Sequence, residues 1–180
     1  LVNIFCLFWV AFSLSFVIKI RLFNEYEYIG AIFEFEEGFY LTLLMFISIW
    51  SCDSFSYIFG SKFGKKKIFP LVSPNKTWVG SISGFLLTSI LVYILYLYGY
   101  FKFSFVISPS IFDVIVICFI FGIVSQIGDF IESYIKRKIG VKDSGKILRG
   151  HGGMLDRLDS LILVAPTFYF YLKYFLGIDI

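Results

Sequence analysis

Long apolar runs alternate with short polar stretches along the chain, a pattern that predicts helices crossing a membrane. Five runs are close to the roughly 20 residues that a helix needs to span a hydrocarbon core of about 30 Å. These runs lie at residues 1–18, 38–59, 81–101, 111–128 and 155–176. The pattern predicts an all-α, polytopic membrane helix bundle with about five transmembrane helices. No internal repeat or low-complexity linker interrupts it, so we expect one membrane domain over residues 1–180.

The composition supports a membrane location and excludes an ordinary soluble domain. Hydrophobic residues make up 58% of the chain and aromatic residues 22%, well above the usual values for soluble proteins. The three cysteines, Cys6, Cys52 and Cys118, lie within apolar runs without a C-x-x-C pair, so neither a zinc site nor a disulfide framework is predicted. The chain begins at Leu1 and not at Met, so we expect a fragment, and no charged region precedes the first run, so a secretory signal peptide is not expected.

The loop charges predict which side of the membrane the polar segments face. Residues 61–80 contain five lysines, and residues 129–157 contain seven lysines or arginines. Two predicted spans separate these segments, so they lie on the same side, and the positive-inside rule places that side in the cytoplasm. The opposite loop, residues 19–37, has two cations against five glutamates. Twelve of the sixteen cations therefore face the cytoplasm, where nucleoside triphosphates are found.

The segment 128–160 carries residue types suited to binding phosphate and a divalent metal. It holds seven cations, five carboxylates and the only histidine of the chain. Helical spacing puts a carboxylate, a hydroxyl and cations on one helix face, and Asp156 and Asp159 lie one turn apart. The loop 142–153 contains four glycines that permit close backbone approach to a ligand. For Glu132 and Lys136, a simple salt bridge along the helix is an equally good interpretation.

A second polar cluster, residues 53–80, faces the same side. Asp53 falls late in an apolar span, where a charge costs at least several kcal/mol unless it is paired or hydrated. Ser73, Asn75, Lys76 and Thr77 form a proline-bounded turn at a helix start, where backbone N–H groups and side-chain donors can bind an anion. The consecutive lysines 65–67 have a plainer interpretation as a solvated topology signal.

Together these motifs resemble those of the CDP-diacylglycerol synthases, also called phosphatidate cytidylyltransferases. The matching positions are Lys142, Asp143, Gly145, Gly150, His151, Gly152, Gly153, Asp156, Arg157 and Asp159, preceded by Gly128, Asp129, Glu132, Ser133, Lys136 and Arg137. Upstream, the resemblance includes Asp53, Gly60, Phe63, Gly64, Lys65, Ser73, Pro74, Lys76, Thr77, Trp78 and Gly80. The chain departs from the family pattern at Ser61, Val79 and Arg149. The match is dense over 53–160 and thin over the first 50 residues.

The resemblance implies transfer of the cytidylyl group of CTP to phosphatidate, giving CDP-diacylglycerol and pyrophosphate. The residues expected to be catalytic are Asp129, Lys142, Asp143, His151, Asp156, Arg157 and Asp159. Those expected to bind substrate are Asp53, Ser73, Asn75, Lys76, Thr77, Ser133, Lys136, Arg137, Gly150, Gly152 and Gly153. We expect Mg²⁺ on Asp129, Asp156 and Asp159, because this hard cation prefers carboxylate oxygens. Two roles stay open for His151, a hydrogen-bond donor to a ligand and a general base. The donor role is favoured because phosphatidate is already anionic, so no proton has to be removed from it.

The resemblance also implies a second cation such as K⁺, a homodimer, and residence in the lipid bilayer of a bacterial inner (plasma) membrane. No nucleic-acid partner is expected. Two other functions stay open. A CTP-dependent membrane lipid kinase would share the nucleotide site but pass on the terminal phosphate. A non-catalytic lipid-binding or ion-conducting protein would use the acids as a pore lining, although charges clustered on one face do not form the rings of a pore.

Overall fold

The computed structural model describes residues 2–23, 37–99, 109–141, 156 and 158–178, with side chains from residue 9 onward. Regular structure in these ranges is helical throughout, which confirms the all-α prediction. The helices are α1 (Val2–Arg21), α2 (Glu37–Phe63), α3 (Trp78–Leu97), α4 (Ile111–Phe119), α5 (Ser125–Ile139) and α6 (Asp159–Tyr174). A π-helical segment, Ile120–Val124, joins α4 to α5 as one continuous helix.

Three helices in the described ranges are long and apolar enough to cross a membrane: α2, α3 and the continuous helix Ile111–Ile139. The last of these is longer than the predicted run, which ended at residue 128. Its polar C-terminal part stays helical and stops only at Gly140, whose φ of +80° favours glycine. α6 covers the fifth predicted run but has 16 residues, about 24 Å of helix. A count of five spans therefore stays a prediction.

The helices pack around a core of aliphatic and aromatic side chains. Phe121 of the π segment and Phe168 of α6 are fully buried, with ring centroids 4.9 Å apart. Phe16 of α1 packs against Tyr169 of α6 at the same centroid distance. Further buried side chains come from α2, α3, α4 and α6: Leu41, Leu44, Met45, Val92, Val114, Ile117, Val164 and Leu172. This core fixes α5 and α6 side by side, with the polar N-terminus of α6 against α5.

Small residues bring α2 and α3 into close contact. A methyl group at Gly80 would lie 2.6 Å from the carbonyl oxygen of Ser56 and 3.0 Å from the Cα of Gly60. At Gly84 it would overlap the Ser56 hydroxyl. Small residues at a helix crossing allow this approach in membrane proteins. The close crossing holds the two ends of the α2–α3 connection next to each other, and that connection carries the second polar cluster.

A carboxylate at the other end of the bundle has a structural role. Asp113 accepts hydrogen bonds through Oδ2 from the backbone N–H of Ser110 at 2.7 Å and from its hydroxyl at 2.6 Å, which completes a capping box at the start of α4. The hydroxyl of Tyr171 donates to Asp113 Oδ1 at 2.6 Å. This contact ties the N-terminus of α4 to the C-terminal half of α6.

We expect Tyr171→Phe to lower the free energy of unfolding by about 1.5–3 kcal/mol, because it removes a hydrogen bond to a charged acceptor. The measurement is reversible denaturant unfolding in detergent micelles. Tyr174→Phe is the matched control, since Tyr174 is 70% exposed. Equal stability losses in the two variants would contradict the assigned role of the Tyr171 hydroxyl.

Candidate functional site

The connection between α2 and α3, residues 64–77, folds as a closed loop. An antiparallel bridge pairs Lys67 with Thr77, and the backbone N–H of Ile68 donates to the Lys76 carbonyl at 3.1 Å. Thr77 also caps α3, since its Oγ1 accepts a hydrogen bond from the N–H of Gly80 at 3.2 Å. A side chain at Gly64 would overlap Thr77. The loop is therefore held at both ends.

Four contacts hold this 64–77 loop against α5. The ammonium of Lys76 forms an ion pair with Asp129 and lies 4.0 Å from the ring centroid of Phe130, in cation–π geometry. Phe130 also meets Phe69 edge to face at 5.5 Å. The guanidinium Nε of Arg137 donates to the Val72 carbonyl at 3.3 Å. The structure thus brings the two polar segments of the sequence into one site.

Three carboxylates meet where α5 passes α6. Asp129, Glu132 and Asp159 each offer one oxygen, and these atoms lie within 4.8 Å of one another. Gly128 makes the approach possible, because a methyl group there would lie 2.8 Å from the Asp159 carbonyl oxygen and 3.1 Å from the Cα of Ser160. We call Asp129, Glu132 and Asp159 the carboxylate cluster.

Nearby lysines compensate only part of the charge in this cluster. The Lys136 ammonium lies 2.8 Å from Glu132 Oε2 and 2.7 Å from Asp156 Oδ1. Glu132 Oε1 is buried and has no hydrogen-bond partner among the described residues, a costly state for a carboxylate. The all-oxygen donor set and the unsatisfied oxygen fit a hard divalent cation such as Mg²⁺.

A cavity of about 540 Å³ opens beside the carboxylate cluster, within the range of small-molecule sites. Asp129 belongs to both, so a ligand in the cavity would reach a cation on the cluster. Asp53 of α2 also borders this cavity. The wall also includes Asn75, Lys76, Thr77, Gln126 and Phe130. Carboxylate, ammonium, amide and aromatic groups therefore converge on one space.

Gln126 is a cavity residue that sequence reasoning missed. Its Nε2 donates to the carbonyl oxygens of Gly122 at 2.8 Å and Ser81 at 3.1 Å, and its Oε1 accepts from the Ser81 hydroxyl. The amide thereby satisfies a carbonyl within the π segment, where the regular α-helical pattern is broken. It also ties that segment to α3. An isolated amide within the fourth apolar run was the one signal in the sequence.

The other predicted site residues differ in where they lie. Ser133 lies beside the cluster, and its hydroxyl donates to Asp129 Oδ1 at 3.4 Å. Asp156 contacts Lys136 and is not part of the three-carboxylate group, while Arg137 donates to the carbonyls of Val72 and Val141. Ser73 donates its N–H to Phe69 within the 64–77 loop. Outside the described residues lie Lys142, Asp143, Gly150, His151, Gly152, Gly153 and Arg157.

The spans, the carboxylate cluster and the polar cavity define a helical membrane protein with a site suited to a cation and an anionic ligand. Residues 1–175 match the model of the Cytidylyltransferase family, and the chain belongs to this family.

Curated relatives agree with this assignment. The chain is 38% identical over 144 residues to the phosphatidate cytidylyltransferase of Staphylococcus saprophyticus, covering 78% of this chain and 53% of the relative. It is 44% identical over 131 residues to the protein of the same name from Staphylococcus haemolyticus, covering 72% and 48%. The corresponding protein of Rickettsia typhi is 41% identical over 128 residues, covering 71% and 56%. The chain thus spans about half the length of these relatives.

Proposed function

We propose that this protein transfers the cytidylyl group of CTP to phosphatidate, yielding CDP-diacylglycerol and pyrophosphate. The observation that carries the proposal is the family match over residues 1–175, supported by relatives named phosphatidate cytidylyltransferase. The cavity next to the carboxylate cluster supplies room for a nucleotide beside a cation site. In this proposal the chain crosses a bacterial inner membrane about five times, with the site facing the cytoplasm.

The reaction joins two anions, so charge compensation is the main task of the protein. A phosphatidate oxygen attacks the α-phosphorus of CTP, and the bond from that phosphorus to the oxygen bridging to the β-phosphate breaks. Pyrophosphate leaves with that bridging oxygen, and no proton has to be removed from the attacking group. Asp129, Glu132 and Asp159 would hold Mg²⁺, which when bound neutralises phosphate charge. A further role of Asp156 as a ligand stays a prediction.

Lys76 is the residue that links the cation site to the cavity. Its ammonium contacts Asp129 and also borders the cavity, so it would bind the triphosphate next to the cation. Phe130 and the bridge at Thr77 hold Lys76 in this position. Lys136, held between Glu132 and Asp156, would compensate charge from the other side of the cluster. His151, a second cation such as K⁺ and a homodimer stay predictions of the family resemblance.

The test is pyrophosphate release by the purified chain given CTP, phosphatidate and Mg²⁺, with chromatography of the lipid product. We expect release that requires both the lipid and the metal, is abolished by EDTA, and is accompanied by CDP-diacylglycerol. The Staphylococcus haemolyticus relative serves as the positive control in the same micelles. Release of CDP with a newly phosphorylated lipid would instead establish the lipid kinase. Absence of any lipid product, with an active control, would overturn the proposal for this chain.

A further inference from the structure

Four lysines lie on and just before the 64–77 loop, and of these only Lys67 borders the cavity. Lys62, Lys65, Lys66 and Lys67 are exposed, and none makes an ion pair with a described residue. They lie within six consecutive positions, so their like charges repel one another unless anions lie nearby. If these lysines served only to set the topology of the chain, they would not need to lie on a loop that is fixed to the site.

The end of α2 and the 64–77 loop expose large apolar side chains among these cations. Leu71 is 93% exposed, and Phe63 and Phe69 are 62% and 55% exposed. Leu71 follows Pro70 in a turn that is closed by the Val72 N–H donating to the Phe69 carbonyl at 3.1 Å. Exposed apolar groups surrounded by lysines are the pattern of segments that bind the surface of an anionic membrane.

The position of the loop supports this assignment. It connects α2 with α3, two helices that qualify as membrane spans, so it lies at a membrane surface. It is also held rigidly on α5 through Lys76 and Arg137. Gly64, Lys67 and Ile68 of the loop line the cavity. A lipid headgroup held by the exposed lysines would therefore lie at the edge of the site.

We propose that the segment 62–72 is an interfacial element that inserts Phe69 and Leu71 among the lipid headgroups and concentrates anionic phospholipids around its lysines. The occupant is the anionic lipid of the surrounding bilayer, chosen by charge complementarity with four ammonium groups that form no ion pair with a described residue. Each such lysine contributes roughly a fivefold preference for anionic lipid near a membrane surface. Delivery of an anionic acceptor lipid to the cavity rests on the proposed function, whereas lipid enrichment does not.

The test places a single tryptophan at the tip of the loop and measures which lipids touch it. Leu71→Trp is introduced after Trp9, Trp50 and Trp78 are replaced by Phe, and the full chain is reconstituted in nanodiscs of equal parts phosphatidylglycerol and phosphatidylcholine. Bromine is carried on the acyl chains of either the anionic or the zwitterionic lipid. We expect quenching in both discs, several-fold stronger with brominated phosphatidylglycerol. The readout needs no turnover, so it stays interpretable if the proposed reaction fails.

Lysine variants separate the proposal from its alternatives. Lys65→Gln with Lys66→Gln should bring the two quenching signals close to equality, while Lys173→Gln, which removes one charge near the C-terminal end of α6, should leave their difference unchanged. Equal quenching in the parent protein would overturn anionic enrichment, and no quenching in either disc would overturn insertion. If the double variant leaves the lipid preference intact and only raises the KM for CTP, the lysines serve the nucleotide and the proposal is wrong.

Discussion

We expect Asp159→Asn to lower the proposed Mg²⁺-dependent turnover by about a thousandfold, because the variant would lose a charged ligand of a cation that supplies several kcal/mol of transition-state stabilisation. The other two carboxylates of the cluster, Asp129 and Glu132, stay in place, since the substitution keeps the side-chain volume. The measurement is the initial rate of pyrophosphate release over a series of Mg²⁺ concentrations. We expect both a lower maximal rate and a higher Mg²⁺ requirement.

Two further aspartates sharpen this experiment. Asp113→Asn is the matched control, because Asp113 caps α4 away from the cluster and should leave the Mg²⁺ requirement unchanged. Asp156→Asn tests whether Asp156 also binds the cation, as predicted from the sequence. A raised Mg²⁺ requirement would assign Asp156 to the metal, whereas a lower rate at an unchanged requirement would assign it to holding Lys136. Retention of full activity in Asp159→Asn would remove the carboxylate cluster from the mechanism.

The second large effect is expected from Gly128→Val, which we expect to reduce activity by at least a hundredfold. Even the Cβ would lie 2.8 Å from a backbone oxygen of α6, so α5 and α6 must separate at the point where Asp129 and Asp159 meet. Cation binding and catalysis depend on such distances to within about 1 Å. The overpacking should also lower the free energy of unfolding by about 1–3 kcal/mol. Activity, Mg²⁺ requirement and unfolding are measured on the same preparation.

Gly122→Ala provides the control for overpacking alone. A methyl group at Gly122 would meet the Phe85 side chain of α3 at 2.6 Å, and not α6. We expect a smaller loss of stability with an unchanged Mg²⁺ requirement, because a flexible ring moves more readily than a helix backbone. An equal rise of the Mg²⁺ requirement in both variants would show that helix separation at residue 128 is not the cause.

Apolar runs predicted much of the helical architecture, but a predicted span does not mark where its helix ends. The runs 38–59 and 81–101 correspond to α2 and α3 within a few residues. The fourth run was ended at residue 128 because polar residues begin there, yet the helix continues to Ile139 with its charged side chains near the 64–77 loop and α6. Hydropathy measures burial in lipid and cannot detect a helix that leaves the apolar layer.

The sequence predicted that two segments of the site lie on one membrane face. It did not predict which residues of the two segments contact each other. Sequence spacing identified Asp129 and Asp159 as candidates, while Glu132 was equally well explained by a salt bridge with Lys136. In the structure Glu132 makes that salt bridge and also belongs to the carboxylate cluster. The contact of Lys76 with Phe130 joins residues far apart in the chain, and helical spacing within one segment gives no information about such contacts.

The π-helical segment Ile120–Val124 makes the number of residues there as important as their identity. A π turn holds one residue more than an α turn. Deleting one residue there would rotate the following helix about its axis by roughly 100°. Gly128, Asp129 and Glu132 would then turn away from α6, although all three residues would still be present in the chain. During evolution this stretch should accept conservative replacements but reject single-residue deletions, a length constraint that composition alone would never reveal.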